Sequence, residues 1–144
     1  QQQQQRQPTR RRKTMTTPRF SPPLLLLLLL PVLLASAASA ASCHAEDEAG
    51  LLAFKSGITA DPSGMLSNWK PGTDCCTWAG VDCRGGTRVA TLSLYGQSAN
   101  PKSYLSGVIS PSLARVGNLD GLYLINLRKL SGPFPASLTR LPNL

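Results

Sequence analysis

Leu105-Ser106-Gly107-Val108-Ile109-Ser110-Pro111 and Leu130-Ser131-Gly132-Pro133-Phe134-Pro135 are one phrase written twice, 25 residues apart. Leu105 matches Leu130, Gly107 matches Gly132 and Ile109 matches Phe134. The same offset carries Leu113 onto Leu138, Val116 onto Leu141 and Leu119 onto Leu144. Agreement of residue class at six positions and one offset marks an internal repeat. A Leu-x-x-Leu run could also be an amphipathic helix, but Pro111, Pro133, Pro135 and Pro142 argue against a continuous helix. Each unit is too short to bury its own apolar side, and stacking buries it. The predicted class is therefore an α/β repeat, a solenoid of stacked coils.

Ahead of the first copy, Arg88-Val89-Ala90-Thr91-Leu92-Ser93-Leu94 alternates apolar and polar residues with period two, which predicts a strand. Its equivalent in the next coil contains Leu122 and Leu124. Leu92 precedes Leu122 by 30 residues rather than 25, so the first coil carries extra residues, expected within Gly96–Tyr104. Leu92, Leu94, Leu122 and Leu124 are expected to point inward. Their alternates, Thr91, Ser93 and Tyr95, then Gly121, Tyr123 and Ile125, are expected to face solvent.

Upstream, Glu46-Asp47-Glu48 opens a run in which Leu51, Phe54 and Ile58 fall at helical spacing, with Leu52 widening the stripe. Acids in the first turn and Lys55 in the last suit the helix dipole. Gly57 stands where a left-handed cap would end the helix. Asp61-Pro62-Ser63-Gly64 reads as a turn, with Leu66 and Trp69 beyond it. Four cysteines, Cys43, Cys75, Cys76 and Cys83, allow three pairings. Joining the neighbours Cys75 and Cys76 would strain the ring so formed. Both remaining pairings tie Cys43 to the Cys75/Cys76 corner and close a small loop to Cys83. Metal binding fits poorly, because the cysteine spacings are not those of zinc sites and the one histidine, His44, adjoins Cys43.

The formal charge of +8 suggests a nucleic-acid partner until it is located. Six basic residues and no acid lie in residues 1–40, leaving nine basic against seven acidic residues beyond, a balance of only +2. No nucleic-acid partner is therefore expected. Met15 opens an export signal: Arg19, an apolar block from Leu24 to Leu34 broken by Pro31, then Ala38-Ser39-Ala40 as a cleavage motif. Residues 1–14 are expected to be a non-native extension, 15–40 a signal peptide, 41–84 a cysteine-bonded cap and 85–144 the first repeats. The leader is expected to be disordered or helical in itself. The apolar block is short for the roughly 20 residues of a spanning helix.

Taken together, these motifs resemble the plant-type leucine-rich-repeat proteins, whose repeat ends L-x-G-x-I-P. The likeness includes the cap: Asp47, Ala49, Leu51, Leu52, Phe54, Lys55 and Trp69, then Cys75-Cys76-x-Trp78-x-Gly80-Val81-x-Cys83. It covers about residues 43–144. Within the family, the stretch Asn126-Leu127-Arg128-Lys129-Leu130-Ser131-Gly132-Pro133 resembles polygalacturonase inhibitors and DNA-damage-repair/toleration proteins. The resemblance implies a right-handed solenoid with a short cap helix and hairpin, and disulfides Cys43–Cys75 and Cys76–Cys83. It also implies that the strands line a concave face, where Thr91, Ser93, Tyr95, Tyr123 and Ile125 are the candidate protein contacts. Three departures stand out: Leu127 occupies the place of the family's laddering Asn, with Asn126 one position early; Ser110 replaces a Pro; and the first coil is enlarged.

Rigidly displayed aromatic side chains suit partner contact, since they give large contact area at low entropic cost. No catalytic set accompanies them: one histidine beside a cysteine, cysteines that the resemblance implies are bonded, and no phosphate-binding glycine loop. No cofactor is implied, and Asn68, Asn100, Asn118 and Asn126 lack a glycosylation sequon. The reading is a secreted module that binds a protein or peptide, such as a microbial or cell-wall protein, in wall defence or signalling. Inhibition of a wall-degrading enzyme is the leading example. The alternatives are the ectodomain start of a membrane receptor kinase, which places it at the plasma membrane, and a truncated product. The sequence stops at Leu144 inside a coil, which predicts a fragment of a longer protein or a truncation.

Overall fold

The computed structural model describes residues 42–144. The extension, the signal peptide and the Ala38-Ser39-Ala40 motif lie outside the described residues. The described part begins with a helix, α1 (Ala45–Ser56), capped by His44, whose Nδ1 accepts the Glu46 N–H at 3.3 Å. Asp47, Gly50, Leu51 and Phe54 form its buried face. The expected left-handed cap at Gly57 is corrected: its φ is −77°, and Ile58 belongs to a strand rather than to the helix stripe. The reason is crowding. β1 (Ile58–Ala60) starts at once, and the Val108 N–H donates to the Gly57 carbonyl at 3.1 Å. A Cβ on Gly57 would stand 2.6 Å from the Val108 carbonyl oxygen.

An aromatic stack fills the cap. Phe54, Trp69 and Trp78 are all buried, with ring centroids 6.0 Å and 5.6 Å apart in succession. Buried indoles need partners for their N–H groups: Trp69 donates to the Ala79 carbonyl at 2.9 Å and Trp78 to Thr73 Oγ1 at 2.7 Å. Disulfides Cys43–Cys75 and Cys76–Cys83 bind the segment to α1 and to the following hairpin, with Cα separations of 5.2 and 5.5 Å. Both separations sit in the ordinary range for a disulfide.

Two three-stranded sheets follow. In the first, β2 (Val81–Asp82) pairs antiparallel with β3 (Thr91–Tyr95), which pairs parallel with β5 (Gly121–Ile125). In the second, β1 pairs antiparallel with β4 (Ser106–Val108), which pairs parallel with β6 (Lys129–Ser131). No periodicity in the sequence marks the strands of this second sheet. Short 3-10 turns lie at Pro111–Arg115, between β4 and β5, and at Leu138–Arg140, after β6, the first capped by Ser110 Oγ accepting the Ser112 N–H at 3.3 Å.

The β3–β5 register places Leu92 beside Leu122 and Leu94 beside Leu124, a spacing of 30. Leu105 stands ten positions after Tyr95 and Leu130 only five after Ile125, so the additional residues occupy the loop after β3. In the second sheet Gly107 pairs with Leu130, 23 residues away rather than 25. A shift of two leaves each side chain on its own face of the pleat, so the core pattern survives. Leu92, Leu105, Leu113, Val116 and Leu119 of the first coil are fully buried; Leu122, Leu130 and Leu141 of the second are partly covered.

Candidate functional site

The candidate surface is the face of β2-β3-β5 opposite the inward leucines. Tyr95, Tyr123 and Ile125 are 55%, 49% and 44% exposed, although large and apolar. The parallel register sets Ser93 against Tyr123 and Tyr95 against Ile125. Three exposed apolar side chains therefore share one patch on neighbouring strands. Beneath it, Leu92 and Leu94 are buried and hold the strands to the core.

The other expected face residues are less free. Gly121 is buried, and a Cβ there would come within 2.9 Å of the Tyr123 ring edge, so Tyr123 covers it rather than leaving it to solvent. Thr91 is half-buried beside an ion pair: Arg84 and Asp120 meet at 2.6 Å, and Thr91 Oγ1 lies 3.4 Å from Asp120 Oδ1. Ser93 is likewise half-buried. The face thus grades from a polar N-terminal end, where Asp82 lies beside Thr91 and the Arg84–Asp120 pair, to an apolar C-terminal end at Tyr95 and Ile125.

Its position is fixed by the acids of the first turn of α1, whose role extends beyond the helix dipole. The Asp47 carboxylate is fully buried and accepts from Arg88 Nε and Nη2 at 2.9 and 3.0 Å and from the Val89 N–H at 2.9 Å. This clamp binds α1 to the segment entering β3, and holds the Arg88 guanidinium pKa above its usual range. It also explains why the strand begins at Thr91 and not at Arg88. Glu46 pairs with Arg115 at 2.9 Å, and Arg115 hydrogen bonding and charge lower the Glu46 pKa. Glu48 accepts the Gly72 N–H at 2.8 Å. Each acid of the helix start is spent on a different distant segment. Their partners lie 24 to 69 residues away, beyond the reach of any local pattern.

Beyond Tyr95 the loop 96–104 folds against the turn after β5, leaving a cavity of about 220 Å³ lined by Ser98, Asn100, Tyr104, Arg128 and Lys129 among others. A larger apolar hollow of about 490 Å³ lies where Leu122, Leu124, Leu130 and Phe134 of the second coil meet Leu144. Among the described residues, no cluster of His, Cys, Asp or Glu could hold a metal ion, and no helix is long and apolar enough to cross a membrane.

A stacked coil with Leu at the inner positions, a two-disulfide cap and a tryptophan pair define the comparison with known proteins. Residues 44–84 match the family described as leucine rich repeat N-terminal domain. The chain is a plant-type leucine-rich-repeat protein with an N-terminal cap. The DNA damage-repair/toleration protein DRT100 of Arabidopsis thaliana is 32% identical over 111 residues, covering 71% of this chain and 30% of that protein. Polygalacturonase inhibitor 1 of Phaseolus vulgaris is 40% identical over 96 residues, covering 63% and 26%. Among solved structures, the BIR3–SERK2 complex from Arabidopsis thaliana matches with a TM-score of 0.51 and 30% identity, over 66% of this chain and 50% of that one. The leucine-rich-repeat chain thus spans about three-tenths or less of these curated relatives.

Proposed function

We propose that this leucine-rich-repeat chain is a secreted, extracellular module that binds a protein or peptide across its β2-β3-β5 face, in cell-wall defence or signalling. The observation that carries the reading is the exposed trio Tyr95, Tyr123 and Ile125 on strands held in register. Aromatic residues on a rigid support are the residue types that dominate binding energy at interfaces. Disulfides at the cap support an oxidising compartment. In the same reading residues 15–40 are the export leader, 41–84 the cap and 85–144 the first repeats. The solenoid is right-handed, because parallel crossovers take that hand in about 98% of cases.

The specific activity favoured is inhibition of a wall-degrading enzyme, supported by the similarity to a polygalacturonase inhibitor. The full chain, expressed through a secretory host, is assayed against a microbial endopolygalacturonase beside its Tyr95→Ala/Tyr123→Ala variant. The expected result is inhibition by the wild type that weakens about tenfold or more in the variant, the size of a modest interface hot spot. Equal inhibition by both proteins would remove the strand face from the interface. No inhibition by either would remove the inhibitor role.

A further inference from the structure

We infer that the loop 96–104 and the turn 126–129 form an anchoring notch for a carboxylate side chain of the partner segment lying along the strand face. The inference rests on the reading of that face as a protein-binding surface, and names the chemistry at its C-terminal edge.

The notch is continuous with the apolar patch. Tyr95 and Ile125 are the last paired residues of β3 and β5, and each strand runs directly into one wall of the cavity. The Gly96 N–H donates to the Ile125 carbonyl at 2.8 Å, and Asn126 Nδ2 donates to Ser98 Oγ at 3.5 Å, so the walls are joined at the base. The loop is closed on itself: Ser103 Oγ accepts the Gln97 N–H at 2.7 Å, and the Ser103 N–H donates to the Asn100 carbonyl at 3.0 Å. The cavity is thus built by the extra residues of the first coil together with the turn of the second.

Its charge is one-sided. Lys102, Arg128 and Lys129 stand in or beside it, and neither 96–104 nor 126–131 contains an acid. Elsewhere Arg84, Arg88 and Arg115 each meet a carboxylate at 2.6 to 2.9 Å. Arg128 and Lys129 make no ion pair among the described residues, and the Lys129 ammonium instead lies 3.8 Å from the Tyr104 ring centroid. That contact holds the ammonium at the notch without neutralising it. Arg128 and Lys129 both line the cavity, and guanidinium and ammonium donors suit a carboxylate. Apolar side chains alongside favour a peptide segment with an acidic residue flanked by apolar ones, over an acidic sugar chain.

The test uses the full chain and two fluorescein-labelled synthetic hexapeptides, Leu-Tyr-Asp-Asp-Leu-Tyr and its Asn-Asn counterpart, read by fluorescence anisotropy at low salt. The acidic peptide is expected to bind about fivefold or more tightly, the scale of two exposed ion pairs, and to lose that advantage as salt rises. Arg128→Gln/Lys129→Gln should abolish the discrimination, and Arg128→Lys/Lys129→Arg should retain part of it. Equal binding of the two peptides by wild type would overturn the inference, as would discrimination that survives the glutamine variant. Displacement of the acidic peptide by tetragalacturonate at a concentration below the peptide's own Kd would also overturn it, in favour of an acidic sugar. The Tyr95→Ala/Tyr123→Ala variant separates the two readings. Discrimination kept there with both peptides weakened supports notch and face together. Discrimination kept with neither peptide weakened supports the notch and removes the face.

Discussion

Asp47 shows how much one residue can be asked to do. It stands in an acidic run at a helix start, where a dipole interaction would be worth roughly 0.3–1 kcal/mol. Full burial and three hydrogen bonds from Arg88 and Val89 make it a structural clamp instead. Asp47→Asn should therefore lower unfolding stability by about 2–3 kcal/mol, somewhat under the value for a fully buried pair because Arg88 keeps partial solvent contact. Urea denaturation measures this, and a change below about 0.5 kcal/mol, the level of an ordinary surface substitution, would show that the clamp is dispensable. Glu46 behaves differently, since it is exposed. Arg115 lowers its folded pKa below the ordinary 4.5, so its contribution is complete above that value and is lost as pH falls through the folded pKa. Stability of the wild type should accordingly fall more steeply than that of Glu46→Gln as pH drops from about 4.5, checked by thermal melts across that range. The acids' presence was legible in the sequence. Their partners were not, because pairing across 41 and 69 residues depends on how the chain returns to the helix.

Among the elements, the strand at Thr91–Tyr95 and the helix announced themselves through periodicity, while β1, β4 and β6 did not. Strands of three residues are too short to display an alternation, and their burial is incomplete on both sides. The pairing of β1 with β4 depends on a tight approach: Gly107 has a φ of 133°, and a Cβ there would overlap the Gly57 carbonyl oxygen. Gly107→Ala should cost about 2 kcal/mol or more, combining backbone strain with loss of that approach. Hydrogen exchange should report it locally, as faster exchange at the Val108 amide, which bonds to Gly57. Unchanged exchange there would mean that the second sheet tolerates a side chain at its centre. The extra residues of the first coil were visible as an anomalous spacing. That they wall a basic notch was not, because the opposing wall comes from the next coil.

At the scale of the whole molecule, order should be graded along the chain. The cap has two disulfides and a buried aromatic stack, and the first coil is covered on both sides. In the second coil Leu122, Leu124 and Leu130 are only partly covered and Leu144 is 45% exposed, whereas Leu119, at the same repeat position, is fully buried. Local stability follows buried apolar contact. Amides of α1 and of β3 should be the most protected against hydrogen exchange and those of residues 136–144 the least. Strong protection across the last segment in a demonstrated monomer would contradict this grading. Expressed by itself as these 144 residues, the chain should also self-associate through the exposed Leu144 and the partly covered Leu122 and Leu124 beside it, seen as a concentration-dependent sedimentation coefficient.

The two antiparallel strands at the start of the sheets, β2 on β3 and β1 on β4, have a consequence for assembly. Each reverses direction relative to the parallel strands behind it, so neither offers a template onto which another parallel strand of the same kind can be copied. A further strand of the parallel series therefore continues from β5 and β6, the parallel side of each sheet, and not from the cap strands. Duplication of coils on that side leaves the antiparallel strands of the cap, and the residues that seed them, unaltered.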